Sequence, residues 1–141
     1  MWSKEVLPEN AALILSYCHS RNRQGYDLHD MFSAWNWPSR LLQYGNETKR
    51  EESVYAVPEP QSACLHRVHL ASKIVRARFL REGLLYPHRL TVALNMPAVI
   101  PAVLLKLRWR SRFVFYSLEH NLPDCLHRVL LRSFCDAFIN V

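Results

Sequence analysis

Glycine is scarce in this chain: three in 141 residues, at Gly25, Gly45 and Gly83. They lie too far apart for a GxGxxG fingerprint or a Walker A loop, which need clustered glycines so that backbone amides can wrap a phosphate. Nor does a GxSxG elbow occur, which removes the usual serine-hydrolase arrangement on an α/β sheet. The four cysteines, Cys18, Cys64, Cys125 and Cys135, include no CxxC pair. Each sits among apolar residues, so they read as reduced, buried small hydrophobes of a cytoplasmic protein. A long apolar run is missing as well. The longest, Leu90–Leu105, is broken by Asn95, Pro97 and Pro101, whereas a spanning helix needs about 20 residues. Met1–Asn10 carries Lys4, Glu5 and Glu9 and lacks the apolar core of a secretory signal.

What is present is a basic, half-apolar chain. Half of the residues are hydrophobic, which is enough to form a core and excludes a disordered tail. The formal charge of +6 favours anionic partners such as nucleotide phosphates, acidic lipid headgroups or nucleic acid. The length fits one domain, read as residues 11–141 behind a frayed, polar 1–10.

Local signals place the first elements. Asn10 is a potential cap for a helix over Ala11–Arg23, with Leu13, Ile14, Tyr17 and Cys18 on one face and Gly25 as its stop. Tyr26–Ala34 alternates as a strand does, but the first apolar strand that would normally precede this helix–Gly–strand unit is missing in this reading. Trp35–Glu52 reads as irregular, with turn signals at Asn36-Trp37-Pro38 and Tyr44-Gly45-Asn46. Ser53–Val57 reads as a short strand ended by Pro58 and Pro60. Ser62–Leu80 is an amphipathic helix, capped by Ser62 and ended by Gly83.

The last third carries the clearest pattern. Strands are expected at Arg89–Leu94, Arg112–Leu118 and Ala137–Val141, and helices at roughly Pro97–Arg110 and Pro123–Phe134. Strands that are apolar on both faces and alternate with helices indicate an α/β fold, a parallel sheet with helices on both faces. Ligands in such sheets bind beyond the carboxyl ends of the strands. After the middle of the three strands, that position holds Glu119-His120-Asn121. Pro97 suits a first helical turn, while Pro101 lies deeper and should kink or delay the helix.

The order Asn95-Met96-Pro97-Ala98, Ala102–Leu107, Phe113–Glu119 and Leu130–Val141 resembles the N-terminal domain of GT-B glycosyltransferases of the group 1, or family 4, type. The resemblance covers mainly Leu84–Val141, with a weaker echo in Ala11–Ala34. It implies a partial Rossmann-like sheet and an acceptor-side role in transferring a sugar from a nucleotide-sugar donor. The donor would be held mostly by a second domain, which is not expected within this chain. The family's first strand and its glycine-bearing loop have no counterpart in this reading, so the domain is expected to be incomplete. By the same resemblance Glu119 and His120 are the catalytic candidates, orienting the acceptor hydroxyl or stabilising leaving-group charge. Asn95, Met96 and Asn121 would line the acceptor cleft. Asn95 has a competing role as a helix cap, and Asn121 with Asp124 has one in starting the next helix.

Other clusters carry less. Cys64, His66 and His69 lack a fourth ligand at zinc-site spacing, so neither a metal nor another cofactor is expected. Arg67, Lys73, Arg76, Arg78, Arg81 and Arg89 form a basic run that reads first as a solvated face. Its functional alternative is a non-catalytic interaction module that binds an acidic partner or touches an anionic membrane peripherally. Few aromatics interleave with these charges, so nucleic acid is not an expected partner.

Overall fold

A computed structural model describes residues 11–16, 24–45, 54–58, 65–117 and 125–140. Six parallel strands form one sheet: β1 (Ala12–Ser16), β2 (Ser39–Gly45), β3 (Val54–Pro58), β4 (Leu90–Ala93), β5 (Arg112–Ser117) and β6 (Ala137–Asn140). Their spatial order is β3-β2-β1-β4-β5-β6. Among the described residues, four α-helices connect strands: α1 (Gln24–Ala34) between β1 and β2, α2 (Leu65–Leu85) between β3 and β4, α3 (Val99–Trp109) between β4 and β5, and α4 (Cys125–Phe134) between β5 and β6. This is the doubly wound, Rossmann-like α/β architecture, and the order reverses direction between β1 and β4.

Period-two alternation assigns the two faces. Leu42, Leu15, Ala93, Phe115 and Phe138 form one row across β2, β1, β4, β5 and β6. The core on that side adds Val75 and Phe79 of α2, Ala102, Val103 and Leu105 of α3, and Leu131 of α4. Leu41, Ile14, Val92, Val114 and Ala137 form the opposite row. There Phe32 of α1 packs with Ala12, Ile14, Leu41 and Val92. Helices therefore cover both faces, three on one and α1 on the other. Phe79, Phe113 and Phe115 are among the largest fully buried side chains. Each such burial contributes about 1.5–3 kcal/mol.

The last third matches its sequence pattern. Pro101 delays the α-helix as expected. Met96–Ala98 forms a single turn of 3-10 helix, and α3 begins only at Val99. Pro101 then falls in the first turn of α3, where amides have no intrahelical acceptor and a missing N–H costs nothing. The chain leaves α3 through Arg110 in the left-handed region, φ 54°.

Four expectations are corrected, three of them in the first third. Ala12–Ser16 is a strand, not part of a helix, and it lies at the centre of the sheet. The first apolar strand is thus present. Tyr26–Ala34 belongs to helix α1, not to a strand. The turn after that helix passes through Asn36, whose φ of 56° is tolerable because asparagine enters the left-handed region more readily than most residues. Ser39–Gly45, within the stretch read as irregular, is strand β2. Gly83 stops nothing: α2 runs on to Leu85, with Gly83 buried inside it. The cysteine reading also needs revision, since Cys125 is exposed and Cys135 half-buried. Cys18 and Cys64, like the Asn10 and Ser62 caps, lie outside the described residues.

Candidate functional site

The switch point between β1 and β4 opens at the carboxyl ends of the strands. The N–H of Leu94 donates to the carbonyl of Leu15 at 3.0 Å, which ties the two strand ends together. Ser16 and Asn95 follow directly on the two chains. Ser16 is also in register with Gln43 of β2, so these two polar side chains share one face of adjacent strands. Exposure is 1% for Ser16, 2% for Gln43 and 5% for Asn95.

Helix α1 closes over Ser16 and Gln43. A Cβ on Gly25 would come within 2.9 Å of Leu41 Cδ1 and 3.2 Å of Ser16 Cβ. Only glycine allows the first turn of α1 to sit this close to β1 and β2 without displacing a neighbour. The sequence reading treated Gly25 as a helix stop; its role is close approach at a helix start. Ser16 Oγ is buried with no hydrogen-bond partner among the described residues. A buried unpaired hydroxyl costs about 1–3 kcal/mol, so its position at a strand end next to the switch point marks a place to receive a polar atom.

Asn95 does not act as the expected side-chain cap. Its backbone is extended, φ −149° and ψ 166°, and its side chain makes no capping hydrogen bond. The turn is closed instead by the Ala98 N–H donating to the Asn95 carbonyl at 3.0 Å. Met96 is half-buried and packs against the core beneath α2, α3 and α4. Glu119, His120 and Asn121 lie outside the described residues; β5 is described as far as Ser117.

The opposite, amino-terminal edge of the sheet holds a second polar group with a different character. Arg40, at the start of β2, is 3% exposed. Its Nη2 lies 4.0 Å from Glu82 Oε2, and its guanidinium stacks 4.6 Å from the centre of the Tyr86 ring. Burial lowers its pKa to about 10, opposed by the charge of Glu82, so it remains a cation at neutral pH. His88 Nδ1 is 3.4 Å from the Tyr86 carbonyl, and its Nε2 is 2.8 Å from Thr91 Oγ1. Thr91 Oγ1 in turn lies 3.2 Å from Ser111 Oγ. With Nδ1–H donating to the carbonyl, Nε2 accepts from Thr91, the pattern of a neutral imidazole. Burial pushes the His88 pKa down to about 4. This network joins α2 to the starts of β2, β4 and β5 and lies at the edge where ligands of such folds do not bind.

The remaining candidates are dispersed. Lys73, Arg78, Arg81 and Arg89 are exposed and Arg76 is half-buried, while the Arg67 side chain lies outside the described residues. His66, His69 and Cys64 fall there too. No group of His, Cys, Asp or Glu that could hold a metal ion occurs among the described residues. No helix among them is long and apolar enough to cross a membrane.

Sequence reasoning singled out Asn95 at this edge but missed Ser16 and Gln43. The available signal was Ala11–Leu15, an apolar run ending in Ser16. Read as a buried strand, it places a hydroxyl at the carboxyl end.

The sequence matches no family profile and no curated protein. Among solved structures, the fold is similar to MurG of Acinetobacter baumannii, a GT-B glycosyltransferase, with a TM-score of 0.54 and 5% sequence identity. The similarity covers 95% of this chain and 41% of MurG, so the chain spans about two fifths of that protein's length. A protein of unknown function from Vibrio parahaemolyticus is similar over 94% of this chain and 93% of its own, at a TM-score of 0.48 and 8% identity. The likeness to MurG shows a GT-B-like, Rossmann-type fold.

Proposed function

We propose that this chain is the acceptor-side domain of a sugar-transferring enzyme. The observation that carries this reading is the neutral polar group at the switch point. Ser16, Gln43 and Asn95 are buried at the carboxyl edge of the central strands, where α/β sheets bind ligands. Hydroxyl and carboxamide groups exchange hydrogen bonds with sugar hydroxyls without bringing a charge to be neutralised. The GT-B-like fold supports the same reading.

In the proposed reaction a nucleotide-sugar held by a separate donor domain gives its sugar to an acceptor hydroxyl. Asn95 and Asn121 hold the acceptor, with Met96 packing beside it. Glu119 or His120 accepts the hydroxyl proton as the new glycosidic bond forms, while the nucleoside diphosphate departs on the donor side. A carboxylate or imidazole suits this role because both exist as bases near neutrality.

The test is a two-dimensional NMR titration of the chain with simple alkyl glycosides and, separately, with uridine diphosphate. The glycosides are expected to shift the amide signals of Ser16, Gln43 and Asn95, and Asn95→Ala should abolish the shifts. Silence of these amides toward every glycoside at millimolar concentration would sink the acceptor-side reading. Shifts with uridine diphosphate alone would reverse the assignment of sides.

A further inference from the structure

Helix α1 is the one described helix that carries acid and no lysine or arginine. Phe32 marks its inward side, packed with Ile14, Leu41 and Val92. Asp27, Asp30, Met31, Ala34 and Trp35 follow the i, i+3, i+4, i+7, i+8 spacing of one helical stripe, and all are exposed. Asp27 is engaged within the chain, so Asp30 is the acid that the stripe turns outward. Trp35 continues the helical path beyond Ala34, since its N–H donates to the Met31 carbonyl at 3.2 Å. Its side chain is 62% exposed yet held edge-on to the buried Phe32 ring, 6.1 Å between centres. The indole is thus presented outward on a fixed support.

Helix α2 presents the complement from the other face of the sheet. Val75 and Phe79 are on its buried side. Lys73, Ile74, Ala77 and Arg78 are exposed on the far side, at the same spacing as Asp30, Met31, Ala34 and Trp35. Each stripe has an apolar pair between two flanking residues. On α1 the flanks attract cations, Asp30 by its carboxylate and Trp35 by the face of its ring. On α2 the flanks are cations, and Arg81 is exposed one turn beyond Arg78. Met31 and Ile74 are 39% and 37% exposed, which leaves apolar surface between the flanks on both helices.

We propose that the α1 stripe of one copy docks on the α2 stripe of a second copy of this chain. Met31 and Ala34 pack against Ile74 and Ala77, while Asp30 and Trp35 take up Lys73 and Arg78, one by charge and the other by cation–π contact. The two helices lie on opposite faces of the sheet, so one molecule cannot make this contact with itself. Each docked copy leaves one stripe open, and copies add head to tail. Charge selects this pairing over the two-fold alternatives. An α2–α2 junction sets cations against cations, and an α1–α1 junction sets two Asp30 carboxylates together. An anionic surface would engage α2 alone, and a basic polypeptide α1 alone.

Sedimentation velocity of the 141-residue chain tests the proposal over a range of concentrations at low salt. The mean mass is expected to rise with concentration past that of a dimer and to fall back as salt is added. One variant, Asp30→Asn with Trp35→Ala, loses the α1 stripe; another, Lys73→Glu with Arg78→Glu, loses the α2 stripe. All four positions are exposed, so the far-ultraviolet circular dichroism should be unchanged. Each variant alone should sediment as a monomer where the parent associates. Mixed in equal amounts, they should form a dimer and nothing larger, because one intact stripe of each kind remains. A parent that is monomeric up to millimolar concentration leaves the stripes to other partners and overturns the proposal. Association that either variant retains, or a mixture that stays monomeric, overturns it as well.

Discussion

Gly83 of α2 and Leu105 of α3 touch so closely that no side chain fits between them. A Cβ on Gly83 would lie 2.5 Å from Leu105 Cδ1 and 2.8 Å from its Cδ2. Leu105 is fully buried, so it has little room to withdraw. The contact locks α2 and α3, the two longest described helices of that face, against each other. It also explains why a residue that weakens a helix interior stands two residues before the end of α2.

Gly83→Ala should therefore destabilise the chain, although alanine is the better helix former. The helix gain is about 1 kcal/mol. Overpacking costs about 1–3 kcal/mol, so the expected net effect runs from near zero to a loss of about 2 kcal/mol. Urea denaturation measures it. Leu105→Ala alone should cost about 2–5 kcal/mol, and adding Gly83→Ala to it should cost less than Gly83→Ala does in the parent. Strict additivity would show that the contact is not the cause.

His88 should give the fold an acid limb. Its folded pKa is lowered from 6.5 to about 4 by burial, so the unfolded chain binds the proton more readily. Stability contributed by the neutral imidazole is present above the unfolded pKa and is lost as pH falls from 6.5 through about 4. The shift corresponds to about 3 kcal/mol over that window. Asp136 adds to the same limb at lower pH, because the hydrogen bond from Lys106 and the Phe113 amide lower its pKa. Chemical denaturation at a series of pH values should show the limb, and His88→Gln should flatten its upper part. An unchanged profile in the variant would assign the limb to other groups.

Ser16→Ala separates a structural from a binding role for the switch-point hydroxyl. Ser16 Oγ has no hydrogen-bond partner among the described residues. Its removal should leave stability unchanged or raise it by about 1 kcal/mol. Glycoside binding, followed by the same NMR titration, should weaken. A loss of stability of more than about 1 kcal/mol would mean that the hydroxyl holds the fold rather than a ligand.

The two halves of the chain differ in how far local sequence predicts structure. In β4, β5 and β6 the apolar runs contain Val92, Phe113, Val114, Phe115, Phe138 and Ile139, β-branched or aromatic residues that suit a sheet. Prolines and helical periodicity mark α3 and α4 between them. Ala11–Leu15 is built from alanine and leucine, strong helix formers, with a single β-branched residue, Ile14. Its position between β2 and β4 overrides that preference, because burial on both faces is worth more than a few tenths of a kcal/mol per residue. Strand β2 was hidden for the opposite reason. Arg40 and Gln43 look like loop residues until Glu82 and Tyr86, some forty positions away, come to lie beside Arg40.

The candidate site divides along the same line. Asn95 was visible because it follows a recognisable strand; Ser16 and Gln43 were not, because their strands were not. Composition and periodicity by themselves determined the class of this protein: a parallel α/β sheet without a glycine-rich phosphate loop. Only the tertiary structure decided which strand is central, where the order reverses, and which polar side chains are buried at that reversal. Those are properties of strand pairing, and pairing depends on residues far apart in the chain.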